Sequence, residues 1–179
     1  MRINVEQQTR FLKKIRSALW TLRGKQLGVL GLAFKADTDD VRESPALAII
    51  EALVKEGAKV KVYDPAGMPN ARKLLTSAAV TYGEDPYDAA MGTDALLILT
   101  EWSEFAELDL ARLRSLLKYP IVIDGRNLYE PEEMAHAGFI YHSIGRAPAM
   151  PKPQIPATAS LPLPASNLFG EIAVSQSAG

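Results

Sequence analysis

The strongest constraint on the fold is a regular alternation of apolar and amphipathic segments across residues 25–146. Residues 26–32 and 95–99 are short, largely apolar runs, and each predicts a buried strand. Residues 46–55 have the composition of a helix, with Ser44 in the N-cap position. Because buried strands that alternate with helices are typical of a parallel sheet covered on both faces, we predict a single doubly wound, Rossmann-like α/β domain.

The other segments of this domain continue the pattern. Further strands are predicted at residues 59–63, 80–82, 121–123 and 139–141, and further helices at residues 70–75, 85–91, 109–117 and 131–137. In the strand order expected for such a domain, the first and fourth strands are neighbours, and ligands bind beyond the carboxyl ends of the strands at that point. The segments after residues 32, 99 and 123 are therefore the first places to look for a site.

Residues 1–24 predict one helix that precedes the domain. Its apolar residues recur at helical spacing, at Val5, Leu12, Ile15, Leu19 and Leu22. A helix with one apolar stripe has to bury it against the following domain, a second copy of the chain or another molecule. A homodimer is the expectation that we prefer.

Residues 147–179 have a different composition from the rest of the chain. Six of the chain's 12 prolines lie there, and the only charged residues are Lys152 and Glu171. Because no helical or strand period persists, a disordered tail rich in Pro, Ala and Ser is predicted.

Composition excludes several classes of protein. The net charge is −1, from 20 Lys and Arg against 21 Asp and Glu, and no basic block is present, which argues against a nucleic-acid partner. No apolar run approaches the roughly 18 residues of a membrane helix, and the first ten residues are too polar for a secretory signal. The chain has no cysteine, which excludes disulfides, thiolate metal sites and a cysteine nucleophile and fits a cytoplasmic location.

The loop that leads into the helix at residues 46–55 is a candidate anion site. The free backbone N–H groups of a helix N-terminus attract anions, and Lys35 and Arg42 add two cations nearby. Gly28 and Gly31 depart from the spacing of a dinucleotide-binding turn, so a standard pyrophosphate site is not expected here.

The polar residues of this loop, and an aspartate after the second strand, have more than one interpretation. Asp37, Thr38, Asp39 and Asp40 either belong to a site or form Asx turns and caps. A calcium loop is disfavoured because its glycine and its distant glutamate are missing. Asp64, at the end of the second strand, is either a ribose-binding acid or a turn residue.

The two other loops also carry unusual residues. Trp102 and Phe105 follow the fourth strand and either stack on a flat ligand or fill the core. Arg126 follows Asp124 and Gly125, and its guanidinium either binds phosphate or pairs with Asp124. No nucleophile–base pair, metal cluster or P-loop can be assembled, so no catalytic or metal-binding residue is predicted.

Five motifs resemble the C-terminal domain of UDP-glucose 6-dehydrogenases and of related UDP- and GDP-sugar dehydrogenases. They are GLAFKADTDDVRESPA at residues 31–46, VYDP at 62–65, TEWSEF at 100–105, IDGRNLY at 123–129 and GFIYHSIGR at 138–146. The helix with Asn4 and Gln8 resembles the end of the family's central dimerisation helix.

The resemblance implies a set of site residues. Enzymes of this family oxidise the sugar C6 alcohol to a carboxylate in two NAD-dependent steps, through a cysteine-bound intermediate. By resemblance, Phe34, Lys35 and Arg126 would contact the UDP-sugar, and Arg42 would reach NAD held by a domain that this chain does not resemble.

The departures from the family imply a chain that is inactive alone, because neither the catalytic cysteine nor the glycine-rich NAD turn is present. The leading hypothesis is the nucleotide-sugar-binding part of such an enzyme, completed by a separate chain with the NAD-binding and catalytic half. The alternatives are a stand-alone UDP-sugar-binding or regulatory module and a non-functional truncated remnant.

Overall fold

The structure, a computed structural model, describes the backbone of residues 2–151 and the side chains of residues 5–151. The helices are α1 (Arg2–Leu19), α2 (Pro45–Lys55), α3 (Met68–Leu74), α4 (Pro86–Ala90), α5 (Ser103–Ala106), α6 (Leu110–Leu116) and α7 (Pro131–His136). The strands are β1 (Gln26–Leu30), β2 (Lys59–Tyr63), β3 (Val80–Tyr82), β4 (Ala95–Ile98), β5 (Ile121–Asp124) and β6 (Ile140–His142). Every predicted strand and helix of the domain is present within about two residues, and the four-residue α5 was not predicted.

The six strands form one parallel sheet in the order β3-β2-β1-β4-β5-β6. This order confirms the predicted doubly wound, Rossmann-like fold. The chain reverses its direction across the sheet between β1 and β4, where Leu30 pairs with Ile98. The carboxyl ends of these two strands therefore meet at the point where a doubly wound sheet binds its ligands.

Each central strand contributes side chains to both layers of the core. Leu27 and Val29 of β1 pack with α1, α2 and α3 on one face of the sheet. Leu30, together with Leu96 and Ile98 of β4, packs with α4 to α7 on the other face. Because strand side chains alternate between faces, two buried layers require apolar residues at every position, as the continuous apolar runs had indicated.

The N-terminal helix α1 packs on its own domain. Phe11, Ile15, Leu19 and Leu22 are buried in the same cluster as α2, while Val5 is 58% exposed. Most of the apolar stripe is thus covered within one chain, so it supplies no physical reason for a homodimer.

Backbone pairing continues a short way beyond residue 146. Ala149 exchanges two hydrogen bonds of 2.9 Å with Tyr141 of β6, in the antiparallel sense. Residues 152–179 lie outside the described residues, and so does most of the predicted tail. Within residues 2–151, no helix is long and apolar enough to cross a membrane.

Candidate functional site

A cavity of about 560 Å³ opens at the carboxyl edge of the sheet, beside the point where the strand order reverses. Its walls include Gln7, Gln8 and Phe11 of α1, Glu101 after β4, and Arg126 and Asn127 after β5. The first turn of α2 also borders it, through Pro45 and Ala46. The cavity thus brings polar groups from α1 and two strand ends to the place predicted for a ligand.

Arg126 borders this cavity and forms an ion pair with Glu101. Its Nε faces Oε2 of Glu101, and the two side chains are 41% and 38% exposed. Burial is the largest single influence and acts to raise the pKa of Glu101, but the contact with Arg126, the charge of Arg126 and a backbone hydrogen bond together outweigh it and hold that pKa below its usual value. The sequence had suggested Asp124 as the partner of the guanidinium, and for this structure that alternative is wrong.

Asp124 shapes the turn that carries Arg126. Its buried carboxylate accepts the backbone N–H of Arg126 and the hydroxyl of Tyr141, each at 2.7 Å. Asn127, with φ 55°, exchanges two hydrogen bonds with the backbone of Ile144, at 2.7 and 3.1 Å. These contacts fix the backbone from which the Arg126 side chain extends.

The loop between β1 and α2 is held by its own polar side chains. The Phe34 N–H donates to the Asp40 carbonyl at 2.9 Å, and Thr38 Oγ1 accepts from the Asp40 N–H at 3.2 Å. The Asn70 side-chain amide donates to the carbonyl and the carboxylate of Asp39, at 3.1 and 3.2 Å. Thr38, Asp39 and Asp40 therefore hold the loop in its conformation, which agrees with the interpretation of these residues as turn-forming.

Phe34 and Lys35 lie on the exposed part of this loop. Phe34 is 52% exposed, unlike the buried Ala33 before it. Asp37 has φ 60°, a left-handed conformation that costs a non-glycine residue about 1–2 kcal/mol. The loop thus presents an aromatic ring and an ammonium group to solvent near the carboxyl edge of β1.

Arg42 lies away from the main cavity. Its guanidinium donates two hydrogen bonds of 2.9 Å to the Asp40 carboxylate, which also accepts the Arg42 backbone N–H at 2.9 Å. These bonds, the side-chain ones foremost, lower the pKa of Asp40 to about 2. Arg42 and Asp40 line a second cavity of about 320 Å³ with Lys73 of α3. Arg42 and Arg126 therefore border two different cavities.

Asp64 is buried where the loops after β1, β2 and β4 meet. Its carboxylate accepts the backbone N–H groups of Leu32 and Ala33 at 2.7 and 2.9 Å, and the Trp102 indole N–H at 3.2 Å. The amides that follow β1 are thus occupied and cannot bind a dinucleotide pyrophosphate. Trp102 is buried, as is Phe105, so both fill the core rather than presenting a stacking surface.

Three residues that border the cavity were not indicated by the sequence alone. Glu101 lies within the TEWSEF motif, and its place in the loop after β4 was a usable signal. Gln7 and Phe11 of α1 border the cavity because the helix folds back on the domain, which the sequence left open. Within residues 5–151, no group of three or more His, Asp or Glu side chains could hold a metal ion.

The fold and the switch-point cavity are those of a domain that binds a ligand at the carboxyl edge of its sheet. Residues 28–131 match the family model described as the UDP binding domain of the UDP-glucose/GDP-mannose dehydrogenase family. The chain therefore belongs to this family.

Known relatives agree in name and in fold. The chain is 48% identical over 143 residues to the UDP-glucose 6-dehydrogenase TuaD of Bacillus subtilis, and 51% identical over 134 residues to the UDP-glucose 6-dehydrogenase of Rhizobium meliloti. The alignments cover 80% and 75% of this chain but 31% and 30% of those proteins, so the chain spans less than a third of their length. A solved UDP-glucose dehydrogenase from Pyrobaculum islandicum superimposes with a TM-score of 0.68 at 34% identity, covering 82% of this chain and 31% of that one.

Proposed function

We propose that this chain binds the UDP moiety of a nucleotide sugar, as the UDP-binding part of an NAD-dependent UDP-glucose 6-dehydrogenase. The observation that carries the proposal is the position of Arg126, whose guanidinium borders a cavity at the reversal point of the sheet in a UDP-binding family. A planar guanidinium suits a diphosphate because its N–H groups pair with phosphate oxygens two at a time.

Three residues have direct roles in this proposal. Arg126 binds the nucleotide sugar from the β5 end, while Phe34 and Lys35 approach it from the loop after β1. Their charges and exposure support this assignment: Lys35 and Phe34 are both accessible to a ligand that arrives from solvent. Glu101 balances the charge of Arg126 until the ligand is bound.

Within residues 5–151, the turn after β1 is not arranged to hold an NAD pyrophosphate. The amides after β1 are taken by Asp64, so the turn that would hold a pyrophosphate has no free donors at Leu32 and Ala33. Arg42 is the residue assigned to NAD, and the rest of the cofactor site would belong to another domain. The Arg42 side chain is 84% exposed, which supports a contact with a group outside this domain.

We further propose that the chain is inactive alone, because it contains no cysteine to form the covalent intermediate. A separate chain with the NAD-binding and catalytic half would complete the enzyme. The alternative is a stand-alone UDP-sugar-binding module. The two are distinguished by a candidate partner chain: a complete enzyme reduces NAD in the presence of UDP-glucose only when both chains are mixed.

Chemical-shift mapping locates the ligand. Adding UDP-glucose to the ¹⁵N-labelled chain should shift the amide signals of residues 34–35 and 125–127. Signals at the amino ends of the strands, such as that of Gln26, should not shift. Shifts confined to residues 39–42 and 70–74 would instead put the ligand in the second cavity and overturn the proposal.

A further inference from the structure

We propose that Asp64 is a positioning residue of the UDP-sugar site. Its buried carboxylate ties three loops together and holds the start of the β1 loop, from which Phe34 and Lys35 extend. The inference rests on the proposed function, and it concerns a residue that touches no ligand itself.

One carboxylate oxygen of Asp64 anchors the loop after β1. Oδ2 accepts the N–H groups of Leu32 and Ala33, at 2.7 and 2.9 Å, and the indole N–H of Trp102 at 3.2 Å. The first two donors immediately precede Phe34 in the chain. The third belongs to the loop after β4, so Oδ2 joins the two loops that meet at the reversal point of the sheet.

The other oxygen anchors the turn after β2. Oδ1 accepts the N–H groups of Ala66 and Gly67, at 3.0 and 2.6 Å. Asp64 is 2% exposed, and its carboxylate accepts hydrogen bonds from five protein donors. An ionised carboxylate accepts hydrogen bonds and donates none. With its acceptor capacity filled in this way, the carboxylate is a structural anchor, and the ribose-binding interpretation of Asp64 is wrong for this structure.

A second contact, from Thr100, fixes the backbone of Ala33 further. Thr100 Oγ1 donates to the Ala33 carbonyl at 2.8 Å, so both backbone groups of Ala33 are fixed. The next backbone bond along the loop is that of the Phe34 N–H to the Asp40 carbonyl. The direction in which Phe34 and Lys35 leave the sheet is therefore set at Ala33 and, through it, by Asp64.

The decisive variant is Asp64→Asn, which keeps the size of the side chain but replaces one acceptor oxygen by an NH₂ donor. That NH₂ group would face backbone N–H donors whichever way the amide is turned. We expect the amides of Leu32 and Ala33 to lose hydrogen-exchange protection, and affinity for UDP-glucose to fall about tenfold or more.

Asp94→Asn is the matched control. Asp94 is also buried, at 4% exposure, and also accepts a strand backbone N–H, from Gln26 at 2.8 Å, but at the opposite edge of the same sheet. Both variants should lower the melting temperature. Only Asp64→Asn should weaken UDP-glucose binding, measured by calorimetry at a temperature where both variants are folded.

Trp102→Phe keeps the test open if Asp64→Asn does not fold. It removes one of the five donors and retains an aromatic ring in the core. We expect a smaller loss of affinity, about two- to fivefold, with a folded protein.

Three outcomes separate the claims. Affinities of Asp64→Asn and Trp102→Phe within error of the parent chain would overturn the positioning role. If the amides of Leu32 and Ala33 keep their hydrogen-exchange protection in Asp64→Asn, Asp64 does not anchor the loop. This result holds whether or not the ligand is bound. A parent chain that binds no UDP-glucose would overturn the proposed function and leave the exchange experiment to decide on the anchor.

Discussion

At the scale of single residues, the proposed site depends on two cations, Lys35 and Arg126, that lie on different loops. Lys35→Ala and Arg126→Ala should each weaken UDP-glucose binding by about 1–3 kcal/mol, the range for loss of a charged hydrogen bond. Lys59→Ala removes an exposed lysine from the opposite edge of the sheet and should leave the affinity unchanged. Titration calorimetry measures all three, and parent-like binding by both site variants would contradict the assignment.

Arg42 has a different expected ligand, so its removal has a different expected result. Because the guanidinium borders the second cavity and is paired with Asp40, Arg42→Ala should leave UDP-glucose affinity largely unchanged. The same titration tests this, and a tenfold loss would place Arg42 in the nucleotide-sugar site instead.

The ion pair at the cavity predicts a pKa change of known sign. Arg126 holds the pKa of Glu101 below its usual value although burial acts to raise it. In Arg126→Ala both lowering effects of the guanidinium are lost, and burial is opposed only by the backbone hydrogen bond of Glu101, so the pKa of Glu101 should rise. Carboxyl ¹³C NMR titration of parent and variant measures the change, and equal midpoints would show that the two groups do not interact in solution.

Asp40 provides a second titration, on the β1 loop. The pKa of Asp40 is lowered to about 2 in the folded chain, from an unfolded-state value near 3.8. The pairing with Arg42 therefore stabilises the folded state at pH values above 3.8, and this stabilisation is lost as the pH falls through about 2. The Arg42 Nε–H signal should therefore titrate with a midpoint near pH 2. A midpoint near that of exposed carboxylates would contradict the bidentate contact.

At the scale of elements, the loops after β1 and β4 cross closely at Gly31 and Thr100. Gly31 has φ +96°, and a Cβ built there would lie 2.5 Å from the Thr100 Cβ. Gly31→Ala adds this overlap to an unfavourable left-handed backbone, so we expect a loss of about 2–4 kcal/mol in the free energy of unfolding.

Gly24→Ala is the control for that substitution. Gly24 has φ +77° but no atom within 4 Å of an added Cβ, so only the backbone cost of about 1–2 kcal/mol applies. Urea unfolding of the two variants measures the difference, and equal losses would mean that the two loops do not cross closely.

Local pattern and long-range contact explain which elements were predictable. Strands such as β4 were found because a strand buried on both faces must be apolar at every position. The short α5 carries too few residues to show a period. The direction in which α1 packs could not be predicted, because its stripe would be equally buried by another molecule.

The same distinction holds within the site. Arg126 could be proposed from the sequence because it lies two residues after β5, the strand next to β4 at the carboxyl edge of the sheet. Its pairing with Glu101 and the anchoring of Leu32 by Asp64 join residues 25 and 32 positions apart, and such contacts leave no local pattern. The sequence therefore indicated the edge of the sheet that carries the site but not the contacts that organise it.

At the scale of the whole molecule, the described residues form one closed domain that spans less than a third of its relatives' length. Its sheet is covered on both faces, including by α1, and its cavity opens at the carboxyl edge. Such a domain has the core it needs to fold by itself, so its binding activity can be tested without another chain.

The most direct test of the account is calorimetric titration of the purified chain with UDP-glucose, with UDP and GDP-mannose as comparison ligands. We predict micromolar binding of UDP-glucose and UDP, with GDP-mannose bound more weakly. A folded chain that shows no binding of UDP-glucose or UDP at millimolar concentration would contradict it.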